Sequence, residues 1–224
     1  MTGLERWNQL VEMVRKTQLR DENDTPIWSL ETNGVYSVKS LYKQINFGGI
    51  ISAVDDKLWK VPCPQKIHVF LWLGVYNKIL TRDNLAKRRH VDDMTCLFCN
   101  ENETVQHLLF DCIVAKIVWE VVSVCFECPF FTSFCDVIAL WQKCKKKPVL
   151  NLVVAASLWS LWKLRNEFCL QGRTWRNAAC VLVKLRSHLQ QWKVLCHDTQ
   201  AVLLQRCILL LDKKRRELMW IAWR

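Results

Sequence analysis

Four residues with metal-ligand chemistry stand close together near the middle of the chain: Cys96, Cys99, His107 and Cys112. Their spacing is Cys-x2-Cys-x7-His-x4-Cys, and a Cys-x2-Cys pair places two sulfurs on one side of a tight turn. Structural zinc sites take four tetrahedral sulfur or nitrogen ligands, whereas catalytic sites keep one position open for water. The segment therefore predicts a zinc knuckle with one closed, structural Zn²⁺ site, and metal binding would contribute much of its folding energy.

The alternative interpretation is that this cysteine pair is incidental and that His107 is an ordinary surface or core histidine. The chain has 12 cysteines among 224 residues, so some close pairs arise by chance. A second set, Cys125 and Cys128 with Cys135 and Cys144, lies in apolar surroundings without a nearby histidine, and buried free thiols explain it better than metal. We expect no signal peptide, because the N-terminus mixes polar and apolar residues. Together with the cysteine count, this favours a reducing intracellular compartment, the nucleus or the cytoplasm.

Hydrophobic periodicity predicts a mainly α-helical protein with a short N-terminal β-hairpin and C-terminal amphipathic helices. Residues 4–20 show a helical pattern, and Asn33-Gly34 between apolar runs predicts a hairpin that pairs Ile27–Leu30 with Val35–Val38. Leu182, Leu185, Leu189, Trp192 and Cys196 follow the spacing of a helix-packing seam. The apolar stretch from Val149 to Trp162 is too short to span a bilayer, so we expect no membrane partner.

The positive charge is unevenly distributed along the chain. Residues 1–120 carry 15 Lys/Arg and 15 Asp/Glu, whereas residues 121–224 carry 17 and 6, so the whole net charge of +11 lies in the second half. This asymmetry predicts contact with RNA or DNA, driven mainly by phosphates. A basic surface that only faces solvent explains the charge equally well. The candidate contacts are Arg82, Lys87, Arg88, Arg89, Lys145, Lys146, Lys147, Lys213, Lys214, Arg215 and Arg216.

A wider pattern surrounds the cysteine segment. It consists of Trp28, GVYSVKSLY at 34–42, LWKVPCPQKIHVFLWL at 58–73, LTRDNLAKR at 80–88, and Ala115 with Trp119. This pattern resembles the zinc-binding domain that follows the reverse transcriptase of plant non-LTR (LINE-type) retrotransposons. The resemblance implies that Cys96, Cys99, His107 and Cys112 are zinc ligands. A weaker resemblance continues in SLWSLWKLRNEF at 157–168.

With this resemblance, we expect four segments: an N-terminal helix and linker (1–27), the zinc-binding domain (28–122), a linker (123–148) and a basic helical region (149–224). No catalytic residue is expected, because a polymerase or nuclease needs clustered carboxylates that hold metal ions. The pairs Asp55-Asp56 and Asp92-Asp93 are typical of solvated turns, and a general-base role for Glu103 is disfavoured. The predicted function is a non-catalytic, nucleic-acid-binding domain. The alternative is a structural or protein-interaction module whose partner binds helices 149–224.

Overall fold

The computed structural model describes residues 3–16, 26–41, 53–143, 146–171 and 177–221. The chain divides into two compact units, residues 1–50 and residues 51–224. The described part is mainly helical, as the sequence predicts. None of its helices combines the length and the apolar character that crossing a bilayer requires.

The first unit contains helix α1 (Gly3–Lys16) and a short helical turn at residues 38–41. The predicted helix at 4–20 is confirmed as far as residue 16, and residues 17–20 lie outside the described part. Helix α1 is amphipathic, but its apolar side chains Leu4, Trp7, Leu10 and Val14 are all exposed.

The predicted β-hairpin is wrong, because the described residues contain no strand. The chain still reverses direction here, but through a turn that ends at Gly34: the Gly34 N–H donates to the Glu31 carbonyl at 3.0 Å, and the Trp28 N–H donates to the Gly34 carbonyl at 2.8 Å. Gly34 has φ +68°. The second arm is cut short because Ser37 caps the helical turn, with its Oγ accepting the Ser40 N–H at 3.1 Å. Ile27 and Val35 remain exposed, and two short strands without a buried face are only marginally stable in water.

The second unit is a helical assembly of eight α-helices among its described residues. Their bounds are α2 (Ala53–Leu58), α3 (Gln65–Val75), α4 (Arg82–Ala86), α5 (Ile113–Phe126), α6 (Phe134–Gln142), α7 (Pro148–Gln171), α8 (Ala179–Trp192) and α9 (Asp198–Ile221). A π-helical turn (His107–Asp111) precedes α5, and a 3₁₀ turn (Lys193–Leu195) follows α8.

Helix α7 is the centre of this unit. It packs against α3, the π-turn, α5, α6, α8 and α9, and its residues 149–158 are all buried. The predicted seam on α8 is confirmed, since Leu182, Leu185, Leu189 and Trp192 are buried and Cys196 is half-buried. The run 149–158 of α7 is apolar on nearly all sides of the helix, which suits a helix that is surrounded by other helices.

The predicted linker at 123–148 contains the end of α5 and the whole of α6. Helix α6 begins with a capping box, in which the Asp136 carboxylate accepts the Ser133 N–H at 3.2 Å. Residues 51–224 group as one compact unit. The division into four segments stays a prediction.

Candidate metal centre

Two of the predicted ligands lie in a tight loop. An isolated antiparallel bridge joins Thr95 to Asn102, and the Cys96 N–H donates to the Glu101 carbonyl at 2.7 Å. The loop between these residues holds Cys96 and Cys99 on the same side, as expected of a Cys-x2-Cys turn.

The other two ligands come from the π-helical turn. Thr104 caps this segment, because its Oγ1 accepts the His107 N–H at 3.0 Å. In a regular α-helix, residues five apart are rotated by about 140° around the axis. Here the Cys112 N–H bonds to the His107 carbonyl at 2.7 Å, and this wider turn brings Cys112 back over His107. The π-turn is therefore the local feature that converts the His-x4-Cys spacing into a pair of converging ligands.

The four ligand atoms converge on one point. They all lie within 4.8 Å of one another. The Sγ atoms of Cys96 and Cys112 are 3.9 Å apart, and Cys99 Sγ lies 3.1 Å from His107 Nε2. Tetrahedral zinc with Zn–S bonds of ~2.3 Å separates neighbouring sulfurs by about 3.8 Å. The residues present therefore fit one Zn²⁺ ion, held by three sulfurs and one nitrogen.

Backbone N–H groups support this assignment. Each cysteine sulfur accepts a hydrogen bond from the N–H two residues later, contributed by Phe98, Glu101 and Val114. Such donors favour the thiolate, which is the form that binds metal. The hydrogen bond from Cys96 lowers the pKa of the Cys112 thiol, whereas the same contact and burial raise the pKa of Cys96, and burial raises the pKa of Cys99.

The loop is tied to the central helix by a buried ion pair that the sequence analysis missed. The Glu103 side chain is fully buried, and Arg165 of α7 is 6% exposed. Arg165 Nη2 donates to Glu103 Oε1 at 2.6 Å, and its Nε lies 3.1 and 3.0 Å from the two carboxylate oxygens. The Arg82 N–H donates to the same carboxylate at 2.9 Å, so Glu103 joins the loop, α4 and α7.

An aromatic cluster packs behind the π-turn. The rings of Phe110 and Trp119 stack at 5.7 Å, and Phe134 meets Phe110 edge-on at 5.3 Å. Trp119 Nε1 donates to the Leu109 carbonyl at 2.8 Å, which satisfies a backbone group that the π-turn leaves without a regular helical partner.

The carboxylates of this region are engaged in structural contacts. Glu103 faces Arg165 rather than the ligand cluster. Asp93 accepts hydrogen bonds from Thr95 and pairs with Arg82, and these contacts hold the pKa of Asp93 below its usual range. Asp92 is exposed beside His90.

The side chains predicted to contact phosphates differ in their exposure and in whether they already pair with other residues. The Arg82 side chain is only 15% exposed and also donates to the Asp93 carbonyl. Lys87 is exposed and donates to Asn84 Oδ1 at 2.7 Å. Arg88, Arg89, Lys146 and Lys147 are exposed, whereas Lys145 lies outside the described residues.

The C-terminal basic cluster on α9 is partly paired with acids. Lys214 contacts Glu120 at 2.8 Å, and Arg215 lies 3.7 Å from Asp212. Lys213 and Arg216 are exposed. Phosphate binding by all of these residues stays a prediction.

The other cysteines do not form a second cluster in the part of the chain that the structure describes. Buried Cys125 shares a hydrogen bond with Cys207 of α9, and Cys135 is exposed. Cys144 lies outside the described residues.

Comparison with known proteins identifies the segment around the cluster. Residues 36–119 match the family model for the zinc-binding domain in reverse transcriptase. A curated Arabidopsis thaliana protein that carries a ribonuclease H name is 26% identical over 97 residues, which cover 41% of this chain. The chain spans only 16% of that relative's length, and no solved structure matches. This match confirms that residues 36–119 resemble the zinc-binding domain of reverse transcriptases, as the sequence pattern indicates.

Proposed function

We propose that this chain is a non-catalytic, zinc-stabilised domain of plant retrotransposon origin that binds the RNA or DNA of its parent element. The observation that carries the proposal is the location of the charge. Residues 1–50 carry equal numbers of basic and acidic residues, so the net charge of +11 lies in residues 51–224, the unit that contains the zinc centre. Reverse transcriptases act on nucleic acids, and a compact basic unit within such a protein has the electrostatics to hold them.

In this proposal the zinc ion has a structural role. Bound Zn²⁺ would link the Cys-x2-Cys loop to the π-turn. The chain's own groups do the rest: backbone N–H groups orient the sulfurs, and Glu103 ties the loop to α7. The basic residues outside the centre contact phosphates.

A salt titration tests the nucleic-acid proposal. Fluorescence anisotropy of a labelled single-stranded RNA should show binding at low salt that weakens as salt rises, with a slope of about 0.7 per phosphate contacted. The double variant Lys213→Gln/Arg216→Gln should lower that slope by up to about 1.4. Lys16→Gln on α1 is the matched control, since Lys16 is exposed within the charge-balanced first unit. Absence of binding at low salt, or affinity indifferent to salt, would contradict the proposal.

The absence of catalysis is the second part of the proposal. Several described carboxylates are separated into individual contacts: Glu103 with Arg165, Glu120 with Lys214, Glu167 with Lys184, and Asp212 with Arg186. A two-metal nuclease needs carboxylates that converge. Incubation with an RNA–DNA hybrid and Mg²⁺ should leave the hybrid intact. Metal-dependent cleavage that a carboxylate variant abolishes would refute this part.

A protein-interaction module is the second candidate, favoured by an apolar surface on the C-terminal helices. Val183 of α8 and Val202 and Leu209 of α9 are each at least half exposed. Exposed apolar side chains that group together mark interaction sites. Self-association in analytical ultracentrifugation that Leu209→Asp abolishes, in a chain that binds no RNA, would favour this candidate.

A further inference from the structure

Helix α3 has an exposed side that is unusual for a helix in water. Its opposite side is buried through Ile67, Phe70 and Leu71. The outward positions carry Val69, Trp72 and, just past the helix end, Tyr76, which are 49%, 38% and 40% exposed. An outward helix side normally carries charged or polar residues, so this apolar side is a candidate interaction surface.

The exposed rings are arranged in neighbouring pairs. Trp72 and Tyr76 are one helical turn apart, with ring centroids separated by 5.3 Å. Trp59, which is 48% exposed, lies beside the ring of His68 at 5.5 Å, on one flank of the same helix. We call Trp59, Val69, Trp72 and Tyr76 the aromatic face.

The charge around the aromatic face is positive. No Asp or Glu occurs from residue 58 to residue 81, a segment that contains Lys60, Lys66 and Lys78. Lys66 and Lys78 are exposed near the two ends of α3, whereas Lys60 pairs with Asp56 at 2.7 Å.

Further lysines gather on the flank toward α7 and α8. Burial and then the charges of Lys184, Lys163 and Lys66 lower the pKa of His188 to about 4. Lysines from three helices therefore lie near His188. Lys184 is also paired with Glu167 at 2.6 Å. Trp159 and Trp162, which contact Phe70 of α3, lie half-buried on the same flank.

Aromatic rings and lysines together suit one kind of occupant. Unpaired bases stack on exposed aromatic side chains irrespective of sequence, while neighbouring cations follow the phosphate backbone. In a duplex the bases already stack on one another and are not available to these rings.

We propose that the aromatic face binds single-stranded nucleic acid, with bases stacked on Trp59, Trp72 and Tyr76 and phosphates beside Lys66 and Lys78. The proposal rests on the nucleic-acid function proposed above and assigns it a surface that the candidate residues of the sequence analysis do not include. RNA and DNA share the base and phosphate chemistry that this surface would recognise.

Anisotropy with the zinc-loaded full chain tests this assignment. The probes are a labelled 20-nucleotide RNA, the DNA of the same sequence, and the corresponding duplex. Trp72→Ala should weaken binding of both single strands by about 5- to 150-fold, the range for one lost base stack, and should change duplex binding little. Trp72→Phe, which keeps a ring, should retain most of the affinity. Leu209→Ala, an exposed apolar position on α9, is the control and should bind like the wild type.

The outcomes separate this inference from the proposed function. If the wild type binds no probe at low salt, both fail. If the wild type binds but Trp72→Ala, with unchanged circular dichroism and zinc content, binds equally well, only the aromatic face is refuted. Equal losses for single strands and duplex would also refute stacking. A Trp72→Ala variant that changes oligomeric state while keeping its RNA affinity would assign the face to a protein partner instead.

Discussion

Breaking the ion pair between Glu103 and Arg165 should strongly destabilise the second unit. Arg165→Met keeps a long side chain but removes the guanidinium, which leaves the fully buried Glu103 carboxylate with the Arg82 N–H as its remaining described partner. Removing one member of a buried pair typically costs about 3–5 kcal/mol. Since whole domains are stable by about 5–15 kcal/mol, this single change would remove a large part of the stability.

Urea unfolding of the zinc-saturated chain, followed by circular dichroism, measures the effect. We expect a lower midpoint with an unchanged slope. The matched control is Arg186→Met, because Arg186 pairs with Asp212 at 3.0 Å in a more exposed setting, with 41% and 26% of the two side chains accessible. Pairs of that kind contribute about 0–1 kcal/mol.

A double-mutant cycle isolates the coupling. Glu103→Gln/Arg165→Met should be less destabilised than the sum of the single variants, because no buried charge is left unpaired. A loss below about 1 kcal/mol in Arg165→Met, or additive single effects, would refute the view that this pair joins the zinc loop to the central helix.

Three further predictions concern other contacts. Asp136→Asn should cost about 1 kcal/mol at pH 7. Hydrogen bonds from Thr132 and Ser133 lower the pKa of Asp136, so this contribution should be present above the unfolded pKa of about 3.9 and fade as the pH falls through the lower folded pKa. Burial and nearby lysines lower the pKa of His188 to about 4. On acidification the unfolded chain therefore binds this proton at a higher pH than the folded chain does, and the free energy of unfolding should fall as the pH drops from about 6.5 to about 4. His188→Asn should flatten that part of the pH profile relative to the wild type. Gly74→Ala would place a Cβ 2.6 Å from the Phe134 ring and should cost about 1–3 kcal/mol by overpacking, and an unchanged melting temperature would contradict this.

The zinc ligands could be predicted from the sequence because their chemistry and spacing are local. Two residues separate Cys96 from Cys99, and any tight turn brings their sulfurs together. The convergence of His107 with Cys112 depends on the π-turn, which spacing alone did not specify. Thr104 and Ser37 cap helical segments, and capping is local in the same way, because it depends on nearby residues.

The ion pair between Glu103 and Arg165 could not be predicted, since 62 residues separate its members. The sequence does carry a partial signal: Arg165 closely follows the mainly apolar stretch from Val149 to Trp162, and a charge on a buried helix needs a partner. The hairpin prediction failed for a similar reason. A turn signal at Asn33-Gly34 fixes a reversal, but strands also need a surface to pack against, which the local sequence does not reveal.

Metal analysis of the purified chain tests the zinc assignment. We expect one zinc per chain, and cobalt replacement should give the visible absorption of a tetrahedral thiolate site. Cys99→Ala and His107→Ala should each lower the zinc content, whereas Cys135→Ala, an exposed cysteine outside the cluster, should keep it. Chains that contain no zinc, or zinc content unchanged in both ligand variants, would contradict a structural zinc centre at Cys96, Cys99, His107 and Cys112.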